Sequence, residues 1–328
     1  MYRVGVIGCR GIGNRHARGA DGLDNAEVVA GCDLVEEQRQ SFEEEFRPTN
    51  PGLKMYNDYR EMLDEARPDI VTIATGDNAH ATMAVDAAEA GVKGIFCEKP
   101  LATTLAEADR MVAAAEASGT LLSVDHTRHW YPLWHHCQEL AAEGAIGEVR
   151  SVVLLFHSSR SMLFRNGTHM LDAVMWFAGG RPQWVVAELE DGYEEYGEYR
   201  GDGGHDPATE PSANALIRFD NGVRGVYHGD KQAQRRTEFI VSGTEGRLLI
   251  EGENAFLDRG EQREPVAAPQ WEFEGIEAGV RELVSVLDGE GELSCTGRDG
   301  LAVVEMMLAC LQSQVRGNVR VPIPLERS

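Results

Sequence analysis

The chain has 328 residues, 42% of them hydrophobic and 26% charged, with a formal net charge of −23. That length predicts two domains rather than one core, and the charge excludes nucleic acid and anionic membrane surfaces as partners, since both would be repelled. No apolar run approaches the ~18 residues of a membrane span, and the chain enters a strand without room for a signal peptide, so a cytoplasmic protein is expected. Six cysteines without CxxC spacing read as reduced, small hydrophobes.

Val4-Gly5-Val6-Ile7 predicts a first strand, followed by Gly8-Cys9-Arg10-Gly11-Ile12-Gly13 and a helix spaced through His16, Ala17 and Ala20. A second strand, Val28–Cys32, ends in Asp33, twenty residues beyond Gly13. Strand, glycine turn, helix, strand and acid are the parts of a dinucleotide site. The backbone of Gly8, Arg10, Gly11, Ile12 and Gly13 would approach a pyrophosphate at the helix N-terminus, and Asp33 would accept hydrogen bonds from the ribose. Arg10 stands where the second glycine of G-x-G-x-x-G is expected. Asp33 would repel a 2′-phosphate, so NAD is expected first, with Arg10 and Arg15 leaving NADP second.

Val35–Phe46 and Tyr59–Glu65 read as helices, and Ile70–Ala74 as a strand leading to Thr75 and His80 on the cofactor side. An alanine-rich helix to Ala90 comes next. The apolar run Ile95-Phe96-Cys97 then ends directly in Glu98-Lys99-Pro100. Pro100 fixes its own φ and biases Lys99 toward extended geometry, and ligands of open parallel sheets lie beyond the carboxyl ends of strands. Lys99, one of only four lysines, is thereby aimed at a ligand. A helix from Thr103 or Thr104 to about Ser118 and the strand Leu121–Val124 complete a doubly wound parallel sheet.

Beyond Gly147 the signals change. Val149–His157 and Trp184–Leu189 read as strands and Thr168–Ala178 as a helix. Asp191–Pro207 reads as a loop or lid. Asn214–Phe219 with Val223–Tyr227, and Thr237–Ser242 with Arg247–Glu251, read as hairpins.

The order G-x-x-G-x-G, Asp33, Thr75-x-x-x-x-His80 and Glu98-Lys99-Pro100 resembles the glucose–fructose oxidoreductase/inositol dehydrogenase (Gfo/Idh/MocA) family. Asp125–Pro132 is similar to its Arg-aromatic-x-Pro crossover, Gly144–Val149 to its entry into the second domain, and Asp299–Leu325 to its return strap. The resemblance implies an α/β Rossmann domain over 1–125. An α+β domain with a largely antiparallel open sheet would cover 126–328, strapped by about 299–328, and its sheet would carry a homodimer or homotetramer contact. Relatives carry Asp-x-Gly-x-His-x-x-Asp at the start of the second-domain helix. Here the segment is Arg165-Asn166-Gly167-Thr168-His169-Met170-Leu171-Asp172, so the resemblance implies His169 as general base and Asp172 as the second acid. Arg165 replaces the first aspartate.

Oxidising a secondary alcohol requires removal of the hydroxyl proton while hydride leaves for nicotinamide. An imidazole can take that proton and an ammonium can stabilise the alkoxide, so His169 and Lys99 are expected to meet across the interdomain cleft. Arg165, with Arg160 or Arg128, is suited to an anionic sugar such as a uronic acid. His126 with His129, and His135 with His136, lack a defensible third ligand, so no catalytic metal is expected. The leading expectation is an NAD-dependent dehydrogenase or reductase of a sugar, inositol or sugar acid. A redox-neutral elimination or epimerisation and a non-catalytic cofactor-bound sensor are the alternatives.

Overall fold

A computed structural model describes residues 1–327. The first half of the chain alternates strand and helix: β1 (Tyr2–Ile7), α1 (Ile12–Ala20), β2 (Ala26–Cys32), α2 (Glu36–Phe46), β3 (Lys54–Tyr56), α3 (Tyr59–Ala66), β4 (Ile70–Ile73), α4 (His80–Glu89), β5 (Gly94–Cys97), α5 (Leu105–Ser118) and β6 (Leu121–Val124). There follow α6 (Pro132–Ala142), β7 (Val149–His157), α7 (Thr168–Ala178), β8 (Pro182–Leu189), β9 (Ala213–Phe219), β10 (Arg224–Asp230) and β11 (Arg236–Gly243). The chain ends with β12 (Arg247–Glu251), β13 (Asn254–Arg259), β14 (Gln262–Val266), α8 (Ile276–Leu287), α9 (Gly297–Val315) and β15 (Val321–Pro322).

Two compact units result. The first comprises residues 1–102, 106–130 and 272–301, and the second 103–105, 131–271 and everything from Ala302 onward. The first unit holds a six-stranded parallel sheet in the order β3-β2-β1-β4-β5-β6. Every residue of β4 and β5 is buried, as the uninterrupted apolar runs Ile70–Ile73 and Gly94–Cys97 require of strands covered on both faces. The order reverses between β1 and β4, and the carboxyl ends of those strands flank the resulting crevice.

The sequence expectation assigned all of 126–328 to the second domain, whereas residues 272–301 belong to the first unit. Ile276, Val280, Leu283 and Val284 recur at helical spacing, and this buried stripe of α8 packs on α1 and β5. The strands β3, β13 and β14 and the helices α6 and α8 also have no counterpart in the sequence reading. β3 is only three residues long, and the first four residues of β14, including Pro265, are exposed, so neither shows the alternation that marks a half-buried strand.

The second unit is built on a nine-stranded sheet in the order β14-β13-β12-β11-β7-β10-β9-β8-β15. All pairs are antiparallel except β7 with β10. Both expected hairpins are present, as β9–β10 and β11–β12. Helix α7 packs on β7 and β10, with only Trp176 left part-exposed. On the opposite face the register aligns Val186, Leu216, Val226, Val153, Ile240 and Leu249 in one row across six strands. Leu216 in that row is 42% exposed. Among the described residues all six cysteines are free and buried, and no helix is long and apolar enough to cross a membrane.

Candidate active site

The glycine turn is set by close backbone approach. Gly8 has φ 93°, and a Cβ on Gly13 would fall 1.6 Å from the Gly8 carbonyl oxygen, so α1 starts directly against the end of β1. Gly13 N–H donates to the Arg10 carbonyl at 2.9 Å and Arg15 N–H to that of Gly11 at 3.3 Å. Helix α1 has no side-chain cap and no acid in its first turn. Nothing from its own sequence therefore competes with an anion at that N-terminus. Arg10, Gly11 and Ile12 are exposed there. At the end of β2 the Asp33 carboxylate accepts from Cys9 N–H and from Val35 N–H, each at 2.9 Å. The acid is thus fixed beside the glycine turn, as a ribose-binding group must be. Arg15 forms a two-pronged ion pair with Glu277 of α8, its Nε 2.8 Å from Oε1, which commits its charge to α8.

Next along the crevice, the buried His80 ring joins two strand ends. Its Nδ1 lies 2.9 Å from the Pro100 carbonyl and its Nε2 3.3 Å from that of Thr75. With carbonyl oxygens at both nitrogens, the ring serves as a brace that holds the bend after Lys99 to the end of β4. Lys99 is 7% exposed, its peptide bond to Pro100 is cis, and its N–H donates to Glu98 Oε2 at 3.2 Å. Thr75, His80, Glu98 and Lys99 thus lie at the carboxyl ends of β4 and β5, with Asp33 and the glycine turn at those of β2 and β1. Arg128, also in this unit, sits in a single 3₁₀ turn (Thr127–Trp130) with its Nη1 3.1 Å from Thr127 Oγ1.

In the second unit the sequence predicted a helix beginning at Thr168. That helix is present as α7, Thr168–Ala178, and a π-helical turn, Leu163–Gly167, runs into it. The Met162 carbonyl accepts from Asn166 N–H at 3.2 Å and from Gly167 N–H at 2.8 Å. Gly167 packs closely here: a Cβ would lie 2.6 Å from the buried Tyr227 hydroxyl oxygen. The Glu210 carboxylate caps the turn, accepting from Phe164 N–H and, at 3.2 Å, from Arg165 N–H. Arg165 Nη1 donates to the Gly203 carbonyl at 3.2 Å, and Arg160 Nη2 reaches that of Gly204 at 3.5 Å. Two guanidinium groups thereby converge on one turn of the 191–207 segment. His169 and Asp172 follow on one face of α7, 8% and 1% exposed.

Glu210, Tyr227 and Lys231 escaped the sequence reading. Lys231 pairs with Glu190 at 2.5 Å and donates to the carbonyls of Pro207 (2.6 Å) and Glu210 (2.8 Å), fixing the segment that carries Glu210. Each stands alone in sequence, with no spacing that marks it.

Comparison with known proteins agrees with this geometry. Residues 2–126 match the family described as "Oxidoreductase family, NAD-binding Rossmann fold", and residues 134–249 match the Gfo/Idh/MocA C-terminal domain. The chain is 29% identical to D-apiose dehydrogenase from Paraburkholderia graminis, over 96% of this chain and 88% of that protein. It is 26% identical to myo-inositol 2-dehydrogenase from Thermotoga maritima, over 76% and 75% respectively. The crystal structure of aldose-aldose oxidoreductase from Caulobacter crescentus superposes with a TM-score of 0.81 at 20% identity, covering 98% of this chain and 99% of that one. With both domains matched in their expected order, the chain belongs to the Gfo/Idh/MocA family of NAD-binding oxidoreductases.

Proposed function

We propose that the protein oxidises a secondary alcohol of a sugar or polyol, or reduces the corresponding ketone, with NAD as the hydride carrier. The observation that carries this reading is Lys99, buried at the end of β5 beyond the glycine turn and Asp33. Bound NAD would accept hydride at its nicotinamide. The glycine turn Gly8–Gly13 would hold its pyrophosphate and Asp33 its ribose. The Lys99 ammonium would stabilise the alkoxide, and His169, with Asp172 one turn further along α7, would take the hydroxyl proton. Names borne by relatives, D-apiose dehydrogenase and myo-inositol 2-dehydrogenase, set the substrate class to test first.

A sugar acid is the second reading, favoured by the convergence of Arg160 and Arg165 in a chain of net charge −23. Arg128 is the third cation assigned to such a substrate. The aligned apolar row on the sheet of the second unit supports a homodimer or homotetramer through that face. Six buried free thiols fit a cytoplasmic setting.

The test is absorbance at 340 nm after mixing the protein with NAD and D-apiose, myo-inositol or a hexuronate. NADH is expected with at least one of them, and K99A should lower turnover by on the order of 10²–10³ while leaving NADH affinity within a few-fold. Altered sugar without NADH would favour the redox-neutral alternative; cofactor binding with unaltered sugars would favour a sensor.

A further inference from the structure

Directly behind Glu98 and Lys99 lies a charged cluster that the reaction as drawn does not use. His16 of α1 is fully buried, Asp125 at the end of β6 is 1% exposed, and the Glu98 side chain is 12% exposed. His16 Nε2 lies 3.6 Å from Glu98 Oε1 and 3.7 Å from Asp125 Oδ2, so one imidazole spans two carboxyl groups at ion-pair distance. The Phe96 ring stands edge-on to His16 at 5.1 Å and walls this side of the cluster with apolar surface. Two carboxylates this close, and this dry, cannot both stay ionised without a cation between them. An apolar trio would fill the same core at lower desolvation cost. The charged one sits beneath the residue on which the proposed chemistry depends.

We propose that His16 and Asp125 are positioning residues for Lys99, holding Glu98 as a carboxylate at the end of β5 and thereby fixing the charge and direction of the adjacent ammonium. The inference rests on the reading of Lys99 as the alkoxide-stabilising cation. The titration directions agree with it. Burial alone would lower the His16 pKa, but the Asp125 and Glu98 carboxyl groups facing it outweigh that and raise the value to about 9. Burial, then the Glu98 charge, pushes Asp125 up to about 7. Burial would raise Glu98 as well, yet the facing His16 imidazole and the Lys99 charge hold it well below the usual carboxylate range. The buried Cys97 thiol of β5 feels the same charges: burial and then Glu98 and Asp125 push it upward. Geometry and these directions agree on an imidazolium facing the Glu98 carboxylate, with Asp125 the carboxyl of the two that takes a proton more readily.

The experiment follows Lys99 itself. NADH-bound protein carrying ¹³Cε-lysine has only four lysines to resolve, and K99R assigns the signal. Between pH 5 and 10 the wild-type Lys99 signal should show a step near pH 7 besides any titration of its own. The isosteric D125N should abolish that step. H16N, which removes the cation, should move the Lys99 midpoint upward by about one pH unit. Superimposable curves for wild type and D125N would overturn the proposal, and D125N decides the matter even if H16N does not fold. Turnover of K99A is a separate measurement: undiminished activity there overturns the catalytic reading of Lys99, whatever its signal shows.

Discussion

The glycine turn between β1 and α1 and the π-turn leading into α7 both place candidate site residues at a helix start, yet they are built by opposite means. The first is made by neighbours in sequence: Gly8, Gly11 and Gly13 within six residues, and Asp33 at the end of the next strand. The second is made by residues far away, since Glu210 caps it and Tyr227 occupies the space that a side chain at position 167 would need. Local sterics write themselves into a motif, whereas long-range packing does not.

Four substitutions break or sharpen that contrast. The largest effect should come from G13A, whose new methyl group would overlap the Gly8 carbonyl oxygen, a backbone atom held between two strands. A loss of about 3 kcal/mol or more is expected, together with loss of NADH binding, read by urea unfolding and fluorescence titration. G167A meets chiefly the tip of a side chain, the Tyr227 hydroxyl at 2.6 Å, and more loosely the Met162 carbonyl oxygen at 3.1 Å. It should cost about 1–3 kcal/mol, and G167A/Y227F should recover most of that, because removing the hydroxyl clears the closer of the two contacts. A double mutant no more stable than G167A would show that the turn depends on something other than Tyr227.

The smallest effect is a pH dependence in the first region. The His16 pKa is raised from 6.5 to about 9 on folding. Its charged form therefore stabilises the fold fully below pH 6.5, and that contribution is lost as pH rises toward 9. The thermal midpoint of the wild type should fall across this window, and that of H16N should fall less. Parallel curves would mean that the imidazole gains nothing from its two carboxylates.

Legibility in the sequence followed the same division. The parallel sheet, Asp33, and the position of Lys99 after β5 were readable because each rests on a run of consecutive residues with one steric meaning. The order of both domains was readable through their motifs. The start of α7 at Thr168 was readable from its helical spacing, but nothing local announces that Leu163–Gly167 closes a wider turn first. Arg165 was legible only as a departure from a pattern. Its contact with the Gly203 carbonyl depends on how the 191–207 segment folds back, which no periodicity encodes. His16 was visible only as one more helical position, since its partners arrive from β5 and β6.

The return of residues 272–301 to the first unit also bears on how the protein is made. The six strands of the nucleotide-binding sheet are complete once Val124 has been added, but α8, which packs on α1 and β5, is not. At ribosomal rates of roughly 5–20 residues per second, the last residue of that cover arrives about 8–33 s later. During this interval a nascent chain carries an apolar surface flanking α1 and β5, and is then a natural client for chaperones. A chain released at residue 126 should accordingly bind a hydrophobic dye strongly and NADH weakly. Tight NADH binding by that fragment would show that α8 is dispensable to the site.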